Sequence, residues 1–439
     1  MAWAIVLHRQ MGLTTTSILA YDNSPTPNFS LKNNINFRDG LRDIWIDMIM
    51  KNQSHLLFLI LAMFTCILTS SCGGDNKVRL SWSEVKPEEQ GKFKVNFYVE
   101  NSGSMNGYMC AGSEFKNVVH YYANELEDIA DTTSLYFINS QIIPYRGDID
   151  DYTLGMTPSK FDSYGGVTSS SSIDKMLGLV VDNIDSNTVS IFISDCILAV
   201  PFGEADKYFS MAKDNVKKVF VKALKKDKNL GVEVLCLKSH FNGTYYQYGK
   251  APIKIDHPRP YYVWIVGPQS LIGLIDKKID KSELQGYKNE VGYSTCSRIP
   301  FTVVNEHGKA GTATSVQSQV KGRKARFILR ADLSSCLQNE AVLEDTGNYQ
   351  TDPKVMIEQV RKTNTPGYTH EMFLAIFDNA HLDENIVLKR QPMPSWVSKI
   401  SDVAGQDLNK TAGIKYIIGG VSDAYNNVTQ QNGIKISIK

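Results

Sequence analysis

Between residues 92 and 280 the chain alternates short apolar runs with stretches whose apolar residues recur every three or four positions. The runs cover residues 93–99, 135–138, 188–194, 232–237 and 261–266 and read as strands. The stretches between them read as helices. Residues 115–129 place Phe115, Val118, Val119, Tyr122, Leu126 and Ile129 on one face, and residues 172–184 do the same with Ile173, Met176, Leu177, Val180 and Val181. A long helix at 205–226 and a short one at 269–279 complete the series. Strands alternating with helices imply a doubly wound, mostly parallel α/β sheet covered on both faces. The run at 188–194 is β-branched and lacks polar alternation, so it is expected at the centre of that sheet, buried on both sides. Ligands of such sheets sit at the carboxyl ends of the strands, near the switch point.

Three segments meet that requirement. The first strand ends in Glu100-Asn101-Ser102-Gly103-Ser104-Met105, a central one ends in Ser194-Asp195-Cys196, and Gly165-Gly166-Val167-Thr168 precedes a helix. Hydroxyl and carboxylate oxygens suit a hard divalent cation such as Mg²⁺ or Mn²⁺, not zinc.

In their order and βα context these segments resemble the von Willebrand factor type A family and its metal-ion-dependent adhesion site. The resemblance covers residues 92–280 and implies a metal held by Glu100, Ser102, Ser104, Thr168 and Asp195. It also implies that an exposed acidic residue of a protein partner completes the coordination. The chain departs from the family at Glu100, where the family carries Asp. The extra methylene moves the carboxylate outward while Mg–O distances stay near about 2.0–2.1 Å. The carboxylate is therefore expected to work from a retracted loop, or through a water or hydroxyl. A second departure is the aromatic stretch from Phe241 to Trp264, where the family has a helix. Asn242-Gly243 within it reads as the tight turn of a hairpin.

Beyond residue 281 helical periodicity fades. Short strands are expected at 301–304, 325–331, 372–377, 386–389, 415–418 and 434–438, with one short helix at 355–361. Gly, Asn and Asp punctuate them, which suggests a β-rich, sandwich-like domain over 285–439.

The apolar run from Leu56 to Leu68 is shorter than the about 20 residues that span a bilayer and suits the centre of a secretory signal. Lys51 precedes it, and Leu68-Thr69-Ser70-Ser71-Cys72 follows, which resembles the lipobox of bacterial lipoproteins with Leu68 one position too far from the cysteine. That resemblance implies diacylation of Cys72 and a stable lipid anchor. The expected order is a mis-assigned leader at 1–47 with the true start at Met48 or Met50, a signal peptide at 48–71, a tether at 72–91, and the two folded regions. The implied location is the bacterial cell envelope, at the outer membrane or cell surface.

A formal net charge of +1 excludes a strongly basic nucleic-acid binder, and seven cysteines in 439 residues are too few for a disulfide-built scaffold. No Gly-x-Ser-x-Gly elbow surrounds Ser102 or Ser104, and His370-Glu371 lacks the second histidine of a zinc-protease helix, since position 374 is Leu. Cys196 reads as a packed cysteine at a strand end, and the Lys-rich face of 205–226 as a solvated one. Binding of a protein partner through a divalent metal is the expected work. A metal-dependent hydrolase at the same pocket, and a structural envelope protein without metal, are the alternatives.

Overall fold

The computed structural model describes residues 77–439 except 84, 87–90, 170, 199, 201–203, 247–250, 297, 305–312, 318–324, 378–380, 404 and 429–432. The leader, the signal peptide and Cys72 lie outside the described residues. No helix among the described residues is long and apolar enough to cross a membrane.

In chain order, β1 (Lys77–Ser81) falls inside the stretch read as a tether and pairs with much later strands. Then come β2 (Lys94–Glu100), α1 (Glu114–Ile129), β3 (Thr132–Ile138), β4 (Ile142–Pro144), α2 (Ile173–Asp182), β5 (Thr188–Ser194) and α3 (Ala205–Lys226). β6 (Leu230–Ser239), the hairpin β7 (Asn242–Tyr245) and β8 (Ile253–Asp256), β9 (Arg259–Pro268), α4 (Gln269–Lys278) and β10 (Tyr287–Tyr293) follow. These strands build a seven-stranded sheet in the order β10-β6-β9-β5-β2-β3-β4.

The sheet is mixed, which corrects the expectation of a doubly wound parallel one. Only β3, β2 and β5 pair in parallel; β4, β9, β6 and β10 each join an antiparallel neighbour. For β6 and β9 the cause is the link between them. Parallel neighbours need a crossover, usually a helix, whereas this link is a β-hairpin, so β9 folds back antiparallel between β6 and β5. Asn242 and Gly243 do not form the turn of that hairpin; they lie in β7, opposite Asp256 and Ile255.

Every residue of β5 is buried, as its β-branched, unalternating sequence requires. Alternate residues of β2 feed two cores. Val95, Phe97 and Val99 pack with Phe115, Val119 and Ile272 from α1 and α4. Tyr98 faces the other side with Leu177 and Phe220 from α2 and α3.

Apart from a short parallel pair, Ser401–Asp402 with Thr411–Ala412, the remaining strands are β11 (Phe301–Val304), β12 (Ala313–Gln317), β13 (Ala325–Ala331), β14 (Tyr349–Gln350), β15 (Val355–Lys362), β16 (His370–Ile376), β17 (Leu382–Leu388) and β18 (Ile434–Ile438). With β1, strands β11 to β18 form two antiparallel sheets, β12-β1-β18-β17-β14 and β11-β13-β16-β15, around a common core that includes Leu80, Phe327, Leu374, Ile386 and Ile436. This part of the chain is β-rich.

Two local readings change. Residues 355–361 are a strand, not a helix. The ladder shifts register between Ile357 and Gln359, so the buried residues Val355, Ile357 and Val360 break the period of two and imitate helical spacing. Residues 415–418 are not a strand but the first turns of α5 (Ile414–Asn426). Ile414, Ile417, Ile418 and Val421 are fully buried at helical spacing and join the core beneath the seven-stranded sheet. Gly420 permits the close approach of α5 to α3, because a Cβ there would stand 2.6 Å from the Lys213 carbonyl oxygen.

Replacing Ile417 with Ala is therefore expected to cost roughly 3 kcal/mol in a urea titration, with a change within about 0.5 kcal/mol for the exposed Lys435→Ala. Equal, small effects would contradict the placement of α5 in this core.

Candidate functional site

β2 lies between β3 and β5 with all three running in parallel, Glu100 opposite Ile138 and Val99 opposite Ile193. The carboxyl ends of these strands therefore emerge together and deliver Glu100-Asn101-Ser102, Asn139-Ser140 and Ser194-Asp195-Cys196 to one edge. After Ser102 the chain turns into a short 3₁₀ helix, Gly103–Met109. The sulfur of Met105 accepts the Asp195 N–H at 3.2 Å and ties that turn to the end of β5.

The loop holding Thr168 is fastened to the same edge by backbone contacts. Gly103 N–H donates to the Thr168 carbonyl at 2.9 Å, and Val167 N–H donates to the Ser140 hydroxyl at 3.1 Å. The Asn139 amide donates to the Gly165 carbonyl at 2.8 Å and to the Asn101 side chain at 2.9 Å. Gly166 has φ +73, and a Cβ there would stand 2.0 Å from the Asn139 amide oxygen. Both the conformation and the space call for glycine.

Glu100 is fully buried. Its two carboxylate oxygens accept hydrogen bonds from Ser171 at 2.8 Å and Ser194 at 2.5 Å. Burial raises its pKa first, the nearby Asp195 charge raises it further, and the hydroxyls of Ser102, Ser194 and Ser171 pull it back; the outcome is a carboxyl pushed up to about 7. The Ser102 and Ser104 hydroxyls lie 3.0 Å apart. Asp195, also buried, accepts the Ile197 N–H at 3.0 Å on Oδ1. Burial raises its pKa too, while the Ile197 N–H, the Ser104 hydroxyl and the Arg259 charge pull it down. Its Oδ2 is buried and carries no hydrogen bond.

Of the residues singled out in the sequence, Glu100, Ser102, Ser104 and Asp195 thus share one hydroxyl–carboxylate cluster. Thr168 reaches it through its carbonyl. The sequence assigns no role to three further contributors: Ser171, Ser194 and Arg259. The two serines hold the Glu100 carboxylate. Arg259 is fully buried, 4.0 Å from the centre of the Tyr245 ring, and donates to the Leu408 and Lys410 carbonyls at 2.9 and 3.2 Å. Half-exposed Tyr246 stands at the rim, where its hydroxyl would lie 3.7 Å from a Cβ on Gly103.

Both Glu100 carboxyl oxygens are held by serine hydroxyls. Among the described residues no three His, Cys, Asp or Glu side chains gather as a ligand set. A cation here would draw on serine hydroxyls, a backbone carbonyl and Asp195 Oδ2, an all-oxygen set suited to Mg²⁺ or Mn²⁺. The orphaned Asp195 oxygen fits such a group.

The other sequence candidates fall away from this edge or into the core. The Cys196 sulfur accepts the Trp264 indole N–H at 3.3 Å, and burial pushes its thiol far up, so it is an inert packed cysteine. His370 begins strand β16 and pairs with Glu340 at 2.7 Å. No family model matches the chain, and no curated protein or solved structure matches it.

A buried carboxyl with a raised pKa contributes stability that is complete below its ordinary 4.5 and is lost as pH rises to about 7. Glu100→Gln removes that dependence. The stability of the wild type minus that of the variant is expected to fall by roughly 3 kcal/mol between pH 4.5 and pH 7, read from urea midpoints. Parallel pH curves would contradict the buried, proton-binding Glu100.

Proposed function

We propose that the chain is a membrane-anchored binding protein of the bacterial cell envelope whose strand-end cluster holds a divalent cation. Ser102, Ser104, Thr168 and Asp195 hold the ion, and Glu100 stands behind them, orienting the serine hydroxyls. The cation, Mg²⁺ or Mn²⁺, supplies a positive centre for an acidic side chain of a protein partner. The lipid on Cys72 supplies the anchor. The order of the three loops, which resembles a metal-ion-dependent adhesion site, supports this reading.

One observation carries it: Asp195 Oδ2 is buried at the centre of the cluster with no hydrogen-bond donor. A buried carboxyl oxygen without a hydrogen-bond partner is costly, and a bound cation removes that cost. Binding is favoured over hydrolysis because a general base must come within hydrogen-bond reach of the proton it takes, whereas Glu100 and Asp195 are both buried.

Arg259 favours a second reading. Its buried charge acts on Asp195, and a guanidinium can stand in for a metal as the counter-charge. The cluster would then be a polar pin in a structural envelope protein.

Isothermal titration with MgCl₂ or MnCl₂ separates the two. The expected result is saturable binding at one site that Asp195→Asn abolishes while the far-UV spectrum is unchanged. Absence of heat with both ions, or binding that survives Asp195→Asn, would overturn the metal reading in favour of the structural one.

A further inference from the structure

Cys296 and Cys336 come together at the seam between the two cores. Cys296 follows β10, the edge strand of the seven-stranded sheet. Cys336 ends the 3₁₀ turn Ser334–Cys336 after β13. Both side chains belong to the core of the β-rich part, while the next residue, Leu337, has φ +52 and turns its side chain into the core of the seven-stranded sheet.

Ser294 locates the pair. Its hydroxyl donates to the Cys336 carbonyl at 3.1 Å and lies 3.4 Å from the Cys296 sulfur. Both cysteines line one small cavity of about 30 Å³ together with Arg390. The Cys336 thiol, and after it Ser294 and Arg390, hold the Cys296 thiol below the ordinary range in spite of burial. Cys196 and Cys236 are buried in the other core, and Cys110 follows the 3₁₀ helix Gly103–Met109.

We infer that Cys296 and Cys336 are a disulfide-forming pair that closes when the chain folds against a disulfide oxidant, pinning the β-rich part to the seven-stranded sheet. In the chemistry, the Cys296 thiolate attacks the oxidant's disulfide and displaces one thiolate. Cys336 then gives up its proton and attacks the Cys296 sulfur, releasing the second. Two protein thiols are oxidised to one disulfide, and one disulfide of the oxidant is reduced to two thiols. The inference stands on the cavity that both cysteines line and on the Ser294 hydroxyl that touches both residues, and is independent of the metal and of the cell-envelope reading.

The test is to refold the full chain in a mixture of oxidised and reduced glutathione, alkylate the free thiols, digest, and map the peptides by mass. The expected product joins the Cys296 and Cys336 peptides and leaves the other five cysteines, Cys66, Cys72, Cys110, Cys196 and Cys236, alkylated. Tm should drop by about 5 °C on reduction, and Cys336→Ser should remove that difference. Recovery of Cys296 and Cys336 as separate alkylated peptides, or a Tm unaffected by reduction, would overturn the inference.

Discussion

A carboxylate without access to water organises the functional edge of this protein. Taking an ion of that size out of water costs several kcal/mol even after relaxation. Glu100 meets that cost with hydroxyls from three separate segments: Ser102 on its own loop, Ser171 after the glycine loop, and Ser194 at the end of β5. A residual part is met by proton uptake, since its pKa stands near 7. Each hydroxyl that satisfies Glu100 also fixes the loop that bears it. The serine loop, the Thr168 loop and the end of β5 therefore hold their positions around one buried group.

The same edge depends on distant parts of the chain. Arg259, at the start of β9, reaches the carbonyls of Leu408 and Lys410, and Tyr245 donates its hydroxyl to Gly405 at 3.0 Å. Shortly after this segment the chain enters α5, which closes the core beneath the sheet. The hairpin that replaces a crossover helix places β9 antiparallel between β6 and β5, and β9 begins with the buried Arg259, whose charge acts on Asp195. Local electrostatics then balance two carboxylates against one guanidinium and a ring of hydroxyls, leaving Asp195 Oδ2 unpaired.

Much of this was legible in the sequence because strand ends announce themselves. An apolar run that stops at Glu100, or at Ser194-Asp195, places those residues at a sheet edge whatever the topology of the rest. The contribution of Ser171 and Ser194 was not legible, since serine is common and its role here exists only after β2 and β5 are paired. Strand direction was also hidden. The stretch from Phe241 to Arg259 is readable as a hairpin, but only the pairing of β6 with β9 shows that it replaces a parallel connection. The two misread segments failed for opposite reasons. A bulge gave β15 a helical spacing, and a short window of isoleucines concealed the helical period of α5.

Anomalous diffraction from crystals soaked in Mn²⁺ tests the central claim most directly. The account predicts a peak within about 2.3 Å of Asp195 Oδ2, with the Ser102 and Ser104 hydroxyls beside it. Absence of a peak there, with Asp195 Oδ2 paired instead to Arg259 or to an ordered water, would contradict it.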